Sequence, residues 1–105
     1  MRLRIEYSIE AREDLREIRD YIARDNPAAA RKVLTTIEAE IELLSSFPWN
    51  SRTTDEEGVL ARILSRYPYI VFYKIERDRL MVLHVLHGAR RHLGFREEAA
   101  VFASL

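Results

Sequence analysis

Two apolar stripes of helical period, separated by a single Asn-Pro step, constrain this chain more than any other feature. Ala11, Leu15, Ile18 and Ile22 recur at spacings of four, three and four, which sets them on one face of a helix that ends near Asp25. Ala30, Val33, Leu34, Ile37, Ile41 and Leu44 draw a second stripe that stops before Phe47 and Pro48. Between them, Asn26 and Pro27 close one helix and open the next. Proline cannot continue a helix, but it suits the first position of a new one, with Asn26 as cap. So short a connection makes the two helices antiparallel, an αα-hairpin whose apolar faces need a second layer to cover them.

The rest of the chain offers that layer. Residues 2–7 alternate polar Arg2, Arg4 and Glu6 with apolar Leu3, Ile5 and Tyr7, the period of a half-buried strand, and Ser8 follows as a helix cap. Residues 47–58 have no periodicity and form the one long loop. Three strand-like runs come next: Val59 to Leu64, Tyr67 to Glu76, and Arg79 to Leu86. Only Arg77 and Asp78 separate the last two, a tight turn without the Gly or Asn that such turns prefer. The expected fold is therefore α+β, in the order β-α-α-β-β-β, with an antiparallel sheet and the helical hairpin packed on one face. The first strand returns beside one of the later ones. A single domain over 1–105 is expected, with 93–105 a short helix or a frayed tail.

Composition narrows the functional classes. The chain has no cysteine, which removes disulfides and thiolate metal sites and fits a reducing compartment. No run approaches the roughly 20 apolar residues that span a bilayer, and the N-terminus lacks a signal-peptide core, so a cytoplasmic protein without membrane contact is expected. Net charge is zero but unevenly spread: residues 58–96 carry eight basic against two acidic side chains, among them Arg62, Arg66, Arg90 and Arg91. This stretch can face an acidic protein segment or nucleic acid.

Several side chains invite a functional reading beside a structural one. His84 falls on an otherwise apolar strand face and reads first as a hydrogen-bonded rim histidine. His87 ends its strand before Gly88, where it either packs against backbone or contacts a target. His84, His87 and His92 lack metal-ligand geometry, because positions three apart on a strand face opposite sides, and no metal or cofactor is expected. Tyr67, Tyr69 and Tyr73 share a face with Val71 and Ile75 and read as core and rim, their hydroxyls reaching water. Trp49 in the long loop is a plug over the hairpin end or an exposed anchor, and the plug is the favoured reading.

The run Tyr67-Pro68-Tyr69-Ile70-Val71-Phe72-Tyr73, a charged turn, then Val85-Leu86-His87-Gly88-Ala89-Arg90-Arg91 resembles the C-terminal signature of ParE-type toxins, the plasmid stabilisation branch of the RelE/ParE superfamily. The opening strand, Ser8, Ala11, Asp14, Leu15, Ile18, Tyr21, Ile22, Asn26-Pro27 and Ala28-Ala29-Ala30 are similar to that family's helical hairpin. The loop departs from the family, reading Phe47-Pro48-Trp49-Asn50-Ser51-Arg52 where Gly and Arg usually follow Phe-Pro. The resemblance implies the toxin of a type II toxin-antitoxin pair. Its antitoxin would be of ribbon-helix-helix type, its contact with DNA would pass through that antitoxin, and its target would be DNA gyrase. The alternatives are RelE-like, ribosome-dependent mRNA cleavage and a non-toxic co-repressor.

The residues weigh these readings unequally. RNA cleavage needs a base, a clamp for the extra phosphate charge and an acid. Arg62, His87 and Arg90 are the candidates, with Glu56 or Glu57 at the loop exit, and the set is thin enough that binding is favoured over catalysis. Contact with the target falls to His87, Arg90 and Arg91. A two-helix hairpin covers one face of a sheet, so Leu60, Ile70 and Phe72 are expected to stay partly bare, and an acidic amphipathic antitoxin helix could fill that groove and meet Arg62.

Overall fold

The structure, a computed structural model, describes residues 2–49 and 51–88. Strand β1 (Arg4–Tyr7) leads into helix α1 (Ile9–Ala23) and helix α2 (Pro27–Ser46), followed by β2 (Arg52–Thr53), β3 (Leu60–Ile63), β4 (Tyr69–Glu76) and β5 (Arg79–His87). The caps are those the sequence offers. Ser8 Oγ accepts the Ala11 N–H at 2.9 Å, and Asn26 Oδ1 accepts that of Ala29 at 3.0 Å, each satisfying a donor that the first helical turn leaves without an intrahelical partner.

One five-stranded sheet runs in the order β1-β5-β4-β3-β2. Strands β2 to β5 pair antiparallel, whereas β1 returns beside β5 in parallel, with Arg4 opposite Arg79 and Tyr7 opposite Val82. The sheet is thus mixed, and two residues of the long loop form a strand, β2, that the aperiodic sequence did not announce. A parallel pair needs a long crossover, and here the helical hairpin and three strands lie between its members.

Both faces of the sheet carry an apolar cluster. On one, Tyr69, Val71 and Tyr73 of β4 and Leu80, Val82 and Val85 of β5 pack with Ala11 and Ile18 of α1 and Val33, Ile37, Ile41 and Leu44 of α2. On the other, Val59, Ala61, Ile70 and Phe72 form a second cluster with Leu83 and Leu86 against it. The expectation that Ile70 and Phe72 stay partly bare is therefore corrected: they are 4% and 0% exposed. Strand alternation sends them to the face away from the helices, where they are buried within the second cluster.

The alternation along β5 is broken once. Tyr73 opposes Val82 and Phe72 opposes His84, so Leu83 is an extra residue, a bulge that shifts the faces of everything beyond it. Leu80 and Val82 accordingly belong to the helix-side core, while Leu86 packs on the second cluster. At the bulge, Asp14 of α1 reaches over: its Oδ2 accepts the Val85 N–H at 3.0 Å and lies 2.9 Å from His84 Nδ1. His84 is a hydrogen-bonded rim residue. The two-residue turn holds Arg77 at φ 59°, a left-handed conformation that costs a side-chain-bearing residue about 1–2 kcal/mol. Among the glycines described, the positive φ falls on Gly58, at the exit of the loop, and not on Gly88.

Candidate interaction surface

His87 closes β5 opposite Tyr69, the first residue of β4. Its ring meets the Tyr69 ring edge-on, centroids 5.2 Å apart, and the next backbone N–H, that of Gly88, donates to the Pro68 carbonyl at 2.6 Å. Pro68, which has no N–H to give, thus stands just before β4 and serves as acceptor. The half-buried His87 is held against the sheet end. Arg90 and Arg91, and the tail from residue 93 onward, lie outside the described residues.

Arg62 sits elsewhere. It opposes Val71 on β3, with its Nη2 3.6 Å from Glu40 Oε1 on α2, and both side chains are mostly shielded from solvent. At that length the contact is an ion pair without a hydrogen bond, and Glu40 Oε1 is buried with no hydrogen-bond partner. Arg62, Glu40, Leu43, Leu44 and Phe47 line a cavity of about 150 Å³ at the C-terminal end of α2. Strand β4 stands between Arg62 and His87, so two strand spacings, about 10 Å, part their backbones. Glu56 and Glu57 are farther still, near the start of β3, whereas His87 belongs to the opposite end of the sheet. Of the residues proposed from sequence as one catalytic set, the described ones, Arg62, His87, Glu56 and Glu57, are not brought together.

What the sequence reading missed is the apolar rim beside Arg62. Leu43 is 54% exposed, Phe47 62% and Ile63 45%. Leu43 lies off the α2 stripe that ends in Ile41 and Leu44, and that departure from period was the available signal. Leu60, by contrast, is half-buried against the helix-side core. Strand β2 opposes only Leu60 and Ala61, so the outer edge of β3 beyond them has no partner among the described residues.

The loop before β3 is tied to the sheet by Tyr73. Its hydroxyl donates to the Pro48 carbonyl at 2.6 Å and shares a second hydrogen bond with Ser51 Oγ at 2.6 Å, instead of reaching water as expected. Burial raises the Tyr73 pKa above the ordinary phenol value, against smaller opposing effects of the Ser51 hydrogen bond and the Arg62 charge. Trp49, between these two anchors, is 72% exposed, so it is no plug. A backbone anchor at Pro48 and a side-chain anchor at Ser51 flank the exposed indole.

This arrangement, a helical hairpin on a small mixed sheet with an apolar and basic rim, is that of the RelE/ParE toxin fold. A chain of the chromosomal ParDE toxin-antitoxin system from P. aeruginosa superposes with a TM-score of 0.73 at 20% identity, over 81% of this chain and 95% of that one. A chain of the RelBE2 toxin-antitoxin complex of Mycobacterium tuberculosis gives 0.58 at 21% identity, over 83% and 99%. In sequence, the toxin candidate Y4kP of Sinorhizobium fredii is 34% identical over 87 residues, 83% of this chain and 90% of its own length. Toxin RelE2 of Caulobacter vibrioides is 26% identical over 77 residues, 73% and 85% respectively. The family described as ParE toxin of type II toxin-antitoxin system, parDE, matches residues 5–92, and the chain belongs to it. No helix among the described residues is long and apolar enough to cross a membrane.

Proposed function

We propose that this type II toxin acts by binding DNA gyrase and that an antitoxin of ribbon-helix-helix type holds it inactive, contact with DNA passing through that antitoxin. The observation that carries the binding reading is the dispersal of the catalytic candidates. Arg62 is engaged with Glu40, His87 packs on Tyr69 across an intervening strand, and Glu56 and Glu57 stand at the other end of the sheet. General acid–base chemistry needs its groups within hydrogen-bond reach of one reacting centre. A surface that binds has no such requirement. His87, Arg90 and Arg91 are then target contacts.

For the antitoxin, the exposed Leu43 and Phe47 at the end of α2, with Arg62 between that helix and Leu60 of β3, present an apolar strip with a cation in it. An amphipathic acidic segment matches that chemistry, burying its apolar side on the two exposed side chains and setting a carboxylate beside Arg62. Ile70 and Phe72, the other two residues read from the sequence as antitoxin contacts, are buried in the cluster on the opposite face of the sheet.

The target is tested with the purified chain, added separately to a gyrase supercoiling and DNA-cleavage reaction and to a translating ribosome preparation. The reading expects stabilised gyrase–DNA breaks and intact mRNA. Cleaved mRNA with unaffected gyrase reverses the assignment in favour of a ribosome-dependent nuclease, and inertness in both assays points to the co-repressor.

A further inference from the structure

The loop that departs from the family pattern builds a second surface, separate from the rim at Arg62. Trp49, Thr53, Thr54, Glu56, Glu57, Gly58, Val59, Leu60 and Ile75 enclose a groove of about 430 Å³. Its accessible apolar lining comes from the half-buried Leu60 and Ile75, and one wall is the exposed indole. The other wall is the turn over residues 54–58, fixed from inside: Thr54 Oγ1 donates to the Val59 carbonyl at 3.0 Å and accepts the Glu56 N–H at 3.2 Å. Asp55, Glu56 and Glu57 are all exposed, and none of them forms an ion pair with a described residue.

We infer that this groove docks a basic, extended segment of a partner protein, with an arginine or lysine stem lying on Leu60 and Ile75 and its cation between the Trp49 indole and the carboxylates of Glu56 and Glu57. The chemistry is specific on three counts. An indole face attracts a guanidinium or ammonium more strongly than any other aromatic ring does. Long cationic side chains bury their methylenes on apolar surface while the charge stays at the rim, which the apolar lining and acidic wall match. The three carboxylates in succession repel nucleic acid, anionic lipid and the acidic segment proposed for the Arg62 rim, so the occupant is a polycation and the two surfaces select opposite charges. The groove is also preorganised. Tyr73 ties the loop at the Pro48 carbonyl and the Ser51 hydroxyl, so less loop ordering remains to be lost on binding. This surface does not depend on which target the toxin has.

Trp49 is the single tryptophan of the chain, so its emission reports the groove directly. The probe is an acetylated, amidated peptide Gly-Arg-Leu-Arg-Leu-Arg-Gly, which has no aromatic residue, titrated into the full chain, with the Glu-for-Arg peptide as control. A saturable shift in Trp49 emission is expected with the basic peptide alone, weakening as salt is raised. Replacing both Glu56→Gln and Glu57→Gln, exposed positions checked by circular dichroism, is expected to lower the affinity about tenfold while keeping the reporter. Trp49→Ala, followed by calorimetry, is expected to abolish the heat of binding. Flat emission with the basic peptide, an equal response to the acidic one, unchanged affinity in the glutamine variant, or an emission change that follows self-association in sedimentation each overturns the proposal.

Discussion

The two edges of the sheet are built on opposite plans. At the β1 edge, polar side chains bind structure to structure. Ser8 Oγ donates to the Leu83 carbonyl at 2.8 Å, Asp14 takes the Val85 N–H at the bulge, and Arg79 on β5 meets Glu6 on β1 at 3.0 Å. At the β2–β3 edge, by contrast, Leu43, Phe47, Trp49 and Ile63 are exposed, and each is a residue type that a folded chain ordinarily puts inside. Burying polar groups with satisfied partners stabilises one arrangement, whereas leaving large apolar groups in water serves the fold in no way. Ile9 and Tyr21 of α1 are exposed as well, so the contrast is one of concentration: four of the six exposed large apolar side chains among the described residues lie at the second edge, which is the one the molecule presents.

This division sets the scale of the effects expected from substitution. The largest should come from Asp14→Ala, which leaves the Val85 N–H at the bulge without its acceptor and takes the partner from His84. A loss of about 2 kcal/mol is expected in urea unfolding, and a loss below about 0.5 kcal/mol would return Asp14 to the category of a surface charge. Tyr73→Phe comes next, at about 1 kcal/mol, with loosening of the Trp49 loop readable as changed tryptophan emission. The same tyrosine sets an alkaline limit. Its folded pKa is raised, so the neutral phenol is favoured in the native state, and that contribution is complete below the ordinary tyrosine pKa. It is lost as pH rises through the raised folded value, and Phe at this position should flatten that alkaline slope. A gain is expected from Arg77→Gly, about 0.5 kcal/mol net, because glycine adopts the positive φ freely but also adds entropy to the unfolded chain.

The scaffold edge was the more legible in the sequence, for physical reasons. Helical stripes, the Asn26-Pro27 junction and the Ser8 cap are local signals, and each corresponds to an element or hydrogen bond in the structure. The fold class follows from them. Parallel return of β1 was not legible, since strand direction depends on where a distant partner lies. Nor was the bulge at Leu83, which reassigns the faces of β5 through one unpaired residue and makes simple alternation place Leu86 on the wrong side. The burial of Ile70 and Phe72 escaped for a similar reason: period two says that they face away from the helices, not whether anything covers that face. On the presented edge, Leu43 was detectable as a leucine off its helix stripe, whereas Trp49 could be read either way from sequence, because the Tyr73 hydroxyl that holds Pro48 and Ser51 on either side of it comes from a strand far along the chain.

The claim that the β2–β3 edge is presented for a partner is tested most directly on Leu43 and Phe47 together. The double variant Leu43→Ser and Phe47→Ser is purified and its affinity for the cognate antitoxin is measured by calorimetry, beside its unfolding free energy. The account predicts an affinity loss of at least about tenfold with stability changed by no more than about 0.5 kcal/mol, because these side chains contribute to binding and not to the core. Undiminished affinity, or a stability loss as large as that of Asp14→Ala, would contradict it.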